Sequence, residues 1–365
     1  MTDRLSALLH EEARLLDVPM PTAHEVITAG RRIRRRRRLT QAGVAAAVVA
    51  VLGVGAAFVG GAAPDRSDPD TIATDPQGEP VDLGVVFAVD DTVYLDGGAA
   101  EVKMPEVAQT LYYTSAGLLV RTNKTGDSDG GAPFHFQLVG ADGKAQPLDL
   151  TLGEVVPSTD PTQPYLAYSE ADGDGVRVIV VDVTTGEQVA RVAVTGLTDW
   201  GGWIAPPVAL DGDTVYVSDF SHALAVDWRT GEVVPAEHVS PGPPTVVRGR
   251  TIAPSDAAAQ VVEVDSGDVL FESRGWLRLS PDGRYAIAGE GASGVPVQDL
   301  DDGTSVDVGK GSVTYGWTTD DQLVGIVDGQ LAVCSPESGR CTTSPLPDGV
   351  SSDAFVRLPG FTYES

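Results

Sequence analysis

Residues 224–234 read LAVDWRTGEVV, and residues 179–189 read IVVDVTTGEQV. Each is an apolar run, an Asp, a Thr-Gly pair and a second apolar run, the pattern of two strands joined by a tight turn. The glycine supplies the positive φ that a short hairpin turn requires, and the Asp, Thr or Ser beside it hydrogen-bonds the turn backbone. Turn glycines of this kind fall at Gly97, Gly143, Gly186, Gly231, Gly267, Gly303 and Gly339, the last four in steps of 36 residues. Between them lie further strand pairs, such as VVPSTDPTQPYLAYSE (155–170) and WLRLSPDGRYAIAGE (276–290). Four short strands per ~40–45 residues is the signature of a propeller blade. Seven units therefore predict an all-β fold, a seven-bladed β-propeller over residues 81–365. The first unit supplies only three strands, so a strand near 354–359 is expected to complete it and close the ring.

LAVDWRTGEVV and VVDVTTGEQV resemble the outer strands of quinoprotein-type propeller repeats. LSPDGRYAIAG (279–289) resembles the WD-like repeats of periplasmic propellers. The resemblance spans roughly residues 80–365 and implies fold rather than activity. Two departures bear on chemistry. The docking Trp of quinoprotein blades is missing after the TGE triplets, where Gln188 and Val233 stand, and so is the adjacent cysteine pair associated with the quinone. A quinone dehydrogenase is not expected, and no cofactor is.

The chain carries 52 Asp and Glu against 25 Lys and Arg, a formal net charge of −27. The basic residues are unevenly spread, with nine Arg and five acids in residues 1–63. The rest is acidic enough to repel phosphate backbones, so no nucleic-acid partner is expected. With 42 Gly and 25 Pro the chain favours turns over long helices.

The amino-terminal region reads differently. Leu5, Leu8, Leu9, Leu15 and Leu16 stand near helical spacing, Pro19 and Pro21 break the pattern, and Thr22 with Glu25 fits a capping box. Arg31, Arg32, Arg34, Arg35, Arg36, Arg37 and Arg38 follow, and then an uncharged stretch from Leu39 to Pro64. Gln41 through Ala63 is 23 residues, enough to cross a bilayer core of ~30 Å as a helix. The Arg cluster sets topology by the positive-inside rule. The expected order is a cytoplasmic helical stub (1–38), one transmembrane helix (39–63), a polar linker (64–80) and the propeller outside the membrane. A cleaved export signal is the alternative, since GGAA (60–63) resembles a small-residue cleavage site; Pro64 directly after it argues for a retained anchor.

Cys334 and Cys341 are the only cysteines and flank the turn SPESGR. On facing hairpin strands in an oxidising compartment they are expected to form a disulfide.

If the strands of each blade alternate, one face carries the glycine turns and the opposite face carries longer, more varied loops. Those loops are KTGDSDGGAP (124–133), EADGDG (170–175), LTDWGGWIAPP (197–207) and SDFSH (218–222). Asp127, Asp129, Asp172 and Asp174 offer oxygen ligands, yet neither acidic loop has the closing acid of a calcium loop. Acidic turns of an acidic protein are more often simply solvated. Trp200 and Trp203 could stack on a sugar or cap the blade core, the second being commoner. His222 beside Asp219 suggests a base, but no strained nucleophile accompanies it: YTSAG (113–117) and EGASG (290–294) both miss G-x-S-x-G. Neither metal ligation nor catalysis is expected.

Three functional readings follow, of different classes. The first is a membrane-anchored, non-enzymatic propeller binding a ligand or protein outside the cell. The second is a transmembrane signalling regulator, because the stub, the single span and the exported domain resemble actinobacterial membrane regulators that hold sigma factors. The stub lacks the His-and-Cys zinc motif of many such regulators. A propeller hydrolase is the third and least favoured.

Overall fold

The protein is described here by a computed structural model covering residues 80–129, 131–173, 175–255, 258–289, 294–309, 314–352 and 354–360. All of these belong to the second of two compact units, Ala73–Ser365. The expected stub, Arg cluster, span and nearly all of the linker lie outside the described residues, as does Asp174. Among the described residues no helix is long and apolar enough to cross a membrane.

Seven antiparallel sheets of four strands each make up the described chain. Six of them take four consecutive strands, named a to d from the inside out. Blade 4, for example, runs Val208–Asp211, Thr214–Ser218, Ala223–Asp227 and Val233–Pro235. Blade 1 is the exception. Its strands b, c and d are Phe87–Val89, Thr92–Leu95 and Ala100–Lys103, and its strand a is Val356–Arg357 from the far end of the chain. Ala88 pairs with Arg357 and Val89 with Val356, so the ring closes as the three-stranded first unit predicts.

Why the strands read as near-continuous apolar runs is clear from the packing. Among the described residues there are seven clusters of buried hydrophobic residues, and each fills the gap between two neighbouring blades. A middle strand is thus covered on both faces, which removes the polar–apolar alternation of a one-sided sheet. Strand b of blade 2, Gly117–Asn123, is buried at every position. Strand d of blade 7, Cys341–Pro345, is exposed at every position.

The repeated turn is built as its sequence suggests. All seven turn glycines have positive φ, between 67° and 79°. In the turn after blade 4 strand c, the Gly231 N–H donates to Asp227 O at 2.8 Å and the Asp227 N–H to Glu232 O at 2.9 Å. Asp227 Oδ1 accepts the N–H groups of Arg229 and Thr230. The turn after blade 3 strand c repeats this with Asp182, Gly186 and Thr184. Cys334 and Cys341 face each other across strands c and d of blade 7 and are joined in a disulfide.

One residue of the opening phrase does more than the sequence discloses. Trp228 is buried between blades 3 and 4, edge-on to Tyr165 at 5.0 Å, and its indole N–H donates to Gly212 O at 3.2 Å. Arg229 lies over its ring and pairs with Asp213 at 2.6 Å. Trp228 thus packs between two blades from the start of the turn, while the position after TGE carries no Trp.

Candidate functional site

The four varied loops connect strand b to strand c, or strand d to the next strand a, and so share one end of the barrel of blades. The a–b and c–d turns share the other. This assignment follows from the antiparallel order within every sheet.

Asp219 organises the part of this face formed by blades 3 and 4. Its side chain is 1% exposed and lies at the end of blade 4 strand b. Oδ2 accepts the Thr198 N–H at 3.0 Å, from the loop joining blade 3 to blade 4. Oδ1 accepts the Ser221 N–H and hydroxyl, both at 2.7 Å, and the His222 N–H at 3.0 Å. Burial works against the charged form, but the hydrogen bonds of Ser221, Thr198 and His222 outweigh it and hold the carboxyl well below the usual carboxylate range. The Phe220 N–H donates to Asp199 O at 3.0 Å, adding a second tie between the same two loops. Asp219 thus acts as a clamp with its oxygens already engaged. His222 Nδ1 stands 3.3 Å from Asp219 Oδ1 but only 2.8 Å from Ser221 Oγ.

Trp200 and Trp203 are both half-buried. Trp200 packs against the cluster between blades 3 and 4, and Trp203 stands one residue before Ile204, which is 48% exposed. Phe220 is 57% exposed and its ring lies close against Gly201, where a β-carbon would come within 2.0 Å of it. Gly201, at φ 65°, is the position that lets this aromatic rest on the loop.

The acidic residues are spread rather than gathered. Asp172 pairs with Arg177 of its own hairpin at 2.6 Å. Asp127 and Asp129 are exposed in the blade 2 loop, which folds on Asn123: its Nδ2 donates to Asp127 O at 2.6 Å, and its Oδ1 accepts the Thr125 and Gly126 N–H groups. Arg357 of the closing strand donates to Gly126 O at 2.6 Å and lies over the Phe355 ring at 4.2 Å. Among the described residues no group of three or more His, Cys, Asp or Glu is placed to hold a metal ion.

Sequence reasoning missed the exposed aromatics of this face. Among the described residues the exposed aromatic side chains are Phe220, Trp276 at 46% and Phe355 at 66%, and all three lie on the varied-loop face. The signal was present, since each stands in a b–c or d–a connection. A second feature is also new: a central cavity of about 430 Å³, walled by the inner strands of blades 2 to 6 with Trp317 and Gly360.

No family model matches the chain, and no curated protein does. Solved structures do. TolB from Acinetobacter baumannii is 11% identical with a TM-score of 0.39, over 75% of this chain and 65% of that one. PorZ, described as an essential bacterial surface component of the type-IX secretion system of Porphyromonas gingivalis, is 13% identical with a TM-score of 0.47, over 76% and 39%. Apo AztD from Citrobacter koseri is 13% identical with a TM-score of 0.44, over 76% and 99%. The chain thus spans less than two thirds of the TolB and PorZ structures. At such identities the likeness is one of fold alone. The blade count rests on this chain's own seven sheets.

Proposed function

We propose that the chain is a membrane-anchored, extracytoplasmic β-propeller that serves as a non-enzymatic binding platform, with the varied-loop face as its working surface. The observation that carries this reading is the segregation of exposed aromatics. Phe220, Trp276 and Phe355 all stand on that face, while the other exposed large apolar residues besides Ile204 are valines of outer strands: Val189, Val234 and Val269. Aromatic side chains supply much of the energy of protein interfaces, and Arg beside them adds to it. Arg278 lies 5.0 Å from the Trp276 ring and Arg357 4.2 Å from that of Phe355. The clamped Asp219 supports a rigid platform better than a reaction centre, because its oxygens already hold the loops.

The test is site-specific photo-crosslinking in intact cells. A photoreactive residue at Phe220 or Trp276 is expected to give a defined protein adduct, while one at Thr185 or Ser266, in glycine turns of the opposite face, gives none. Equal adducts from both faces, or none from either, would overturn the proposal.

A second reading rests on the leucines of the stub. Signalling through residues 1–38 predicts that Leu8→Asp with Leu15→Asp abolishes a transcriptional response; a response that survives confines the function to the propeller.

A further inference from the structure

Asp-Gly is the dipeptide most prone to a spontaneous change of its own backbone. The glycine nitrogen has no side chain to shield it and attacks the aspartyl carboxyl when both groups are free to meet. The sequence holds ten Asp-Gly pairs, eight of them within the described residues. Seven of the eight are held. The N–H groups of Gly97, Gly143, Gly283 and Gly303 donate to Val85 O, Gly140 O, Ser280 O and Asp299 O at 2.9–3.0 Å, and that of Gly212 donates to Asp160 Oδ2 at 2.9 Å. The Asp172 carboxylate pairs with Arg177 at 2.6 Å. Asp328 and Gly329 form the two-residue turn of a hairpin, both at positive φ, between the paired residues Val327 and Gln330.

Asp348-Gly349 is the exception. Both residues are exposed, and among the described residues nothing bonds the Asp348 carboxylate or the Gly349 N–H. A β-carbon at Gly349 would meet no atom within 4 Å. The neighbours, by contrast, are fixed. The pair is the centre of a β-turn in which the Val350 N–H donates to Pro347 O at 3.1 Å and Gly349 has a φ of 87°. Leu346 and Val350 pack on the cluster between blades 7 and 1. Pro347 lies against Gly98 of blade 1, where a β-carbon would come within 2.3 Å of its ring. The turn therefore lies on the chain that runs from strand d of blade 7 to the closing strand Val356–Arg357.

We propose that Asp348-Gly349 is a site of spontaneous isoaspartate formation, and that the change loosens the closure of the ring. The Gly349 nitrogen forms a bond to Asp348 Cγ, the Cγ–OH bond breaks, and that hydroxyl leaves with the amide proton as water. Water then adds to the main-chain carbonyl carbon of the five-membered imide and breaks its bond to nitrogen. The chain now runs through Cβ and Cγ, the former main-chain carbonyl is the free acid, and no atom is gained or lost overall. The backbone between Pro347 and Val350 is one carbon longer, so the turn bond and the packing of Leu346 and Val350 are no longer satisfied together. The inference is independent of the binding face.

The test ages the full chain at mildly acidic pH, where aspartic acids take up the proton that the departing water needs. The protein is then reduced and digested with trypsin, and isoaspartate is located by electron-transfer fragmentation. In the folded protein Asp348 is expected to isomerise about fivefold or more faster than each of the other seven, the factor that breaking one hydrogen bond implies. In guanidinium chloride the difference should vanish, because every pair is then free. Asp348→Glu keeps the charge but needs a six-membered ring; it should hold its denaturation midpoint on ageing, while the wild type moves to lower denaturant. Equal rates at all eight pairs of the folded protein, or a faster rate at any of the seven, would overturn the site. An unchanged midpoint in wild type that has isomerised at Asp348 would overturn its link to ring closure.

Discussion

Asp321 occupies the a–b turn of blade 7 with a φ of 57°, and its Oδ1 accepts the Asp282 N–H of blade 6 at 3.2 Å. Carboxylates stitch other blades in the same way: Asp160 accepts the Gly212 N–H at 2.9 Å, and Asp211 those of Arg248 and Gly249 at 2.8 Å. Asp321, like Asp211 near Asp160, has a second carboxyl acting on it. Burial first, and then the Asp282 charge, push its pKa from 3.8 to about 7. Because the folded state holds the proton more tightly than the unfolded chain, the stabilisation is present below pH ~4 and is lost as pH rises through about 7. Asn in that turn tolerates positive φ and keeps the acceptor oxygen. Asp321→Asn should therefore be more stable than wild type at pH 8, by about 1 kcal/mol after solvent screening is allowed for, with the gap closing toward pH 4. Thermal melts across that range decide it, and a gap independent of pH would refute the assignment. The turn glycines were legible in the sequence because positive φ is a local demand. The roles of Asp219 and Trp228 were not, since Thr198 and Tyr165, their partners, belong to other blades.

Whole strands were more legible than single contacts, and for a physical reason. A blade covered on both faces needs apolar runs ended by turn residues, and both signals are written within each unit. Closure was legible too, because a unit one strand short leaves an open edge that some other segment must fill. The surprise lies in how little ladder closes the ring, two residue pairs only. Packing completes it: Leu358 is buried in the cluster between blades 7 and 1, and the Trp317 N–H donates to Pro359 O at 3.4 Å. Tyr113 adds a bond past the short strand, from its hydroxyl to Trp317 O at 3.2 Å. The disulfide, by contrast, links neighbouring strands of one blade, seven residues apart. Leu358→Ala should cost about 3 kcal/mol by leaving a cavity in the closing cluster, and reducing the disulfide no more than about 2.5 kcal/mol, given its small loop. Chemical denaturation of the two forms ranks the links. If reduction costs more than Leu358→Ala, blade 7 and not the closing strand is the weak point of the ring.

At the scale of the molecule, seven inter-blade cores work against a strong excess of negative charge. Six of the seven glycine turns hydrogen-bond an Asp or Ser side chain, and those built on Asp add acids to the surface. Cations answer only part of this: Arg229 pairs with Asp213, Arg250 with Asp301, and Arg284 with Asp299. With a formal charge of −27, like-charge repulsion should exceed the attraction in these surface pairs, each worth ~0–1 kcal/mol. Salt screens both, shortening the Debye length from ~30 Å at 0.01 M to ~8 Å at 0.15 M. The repulsion acts between many distant charges and is screened most, whereas contact pairs at 2.6–2.8 Å are screened least. Raising NaCl from 20 to 300 mM should therefore raise the melting temperature by a few degrees. A melting temperature that falls with salt would mean that the arginine pairs, two within blades and Arg250–Asp301 between them, stabilise more than the repulsion costs. The same screening bears on the aromatic face: acids such as Asp127, Asp129 and Asp172 stand in loops of that face, so encounter with a charged partner there must depend on salt.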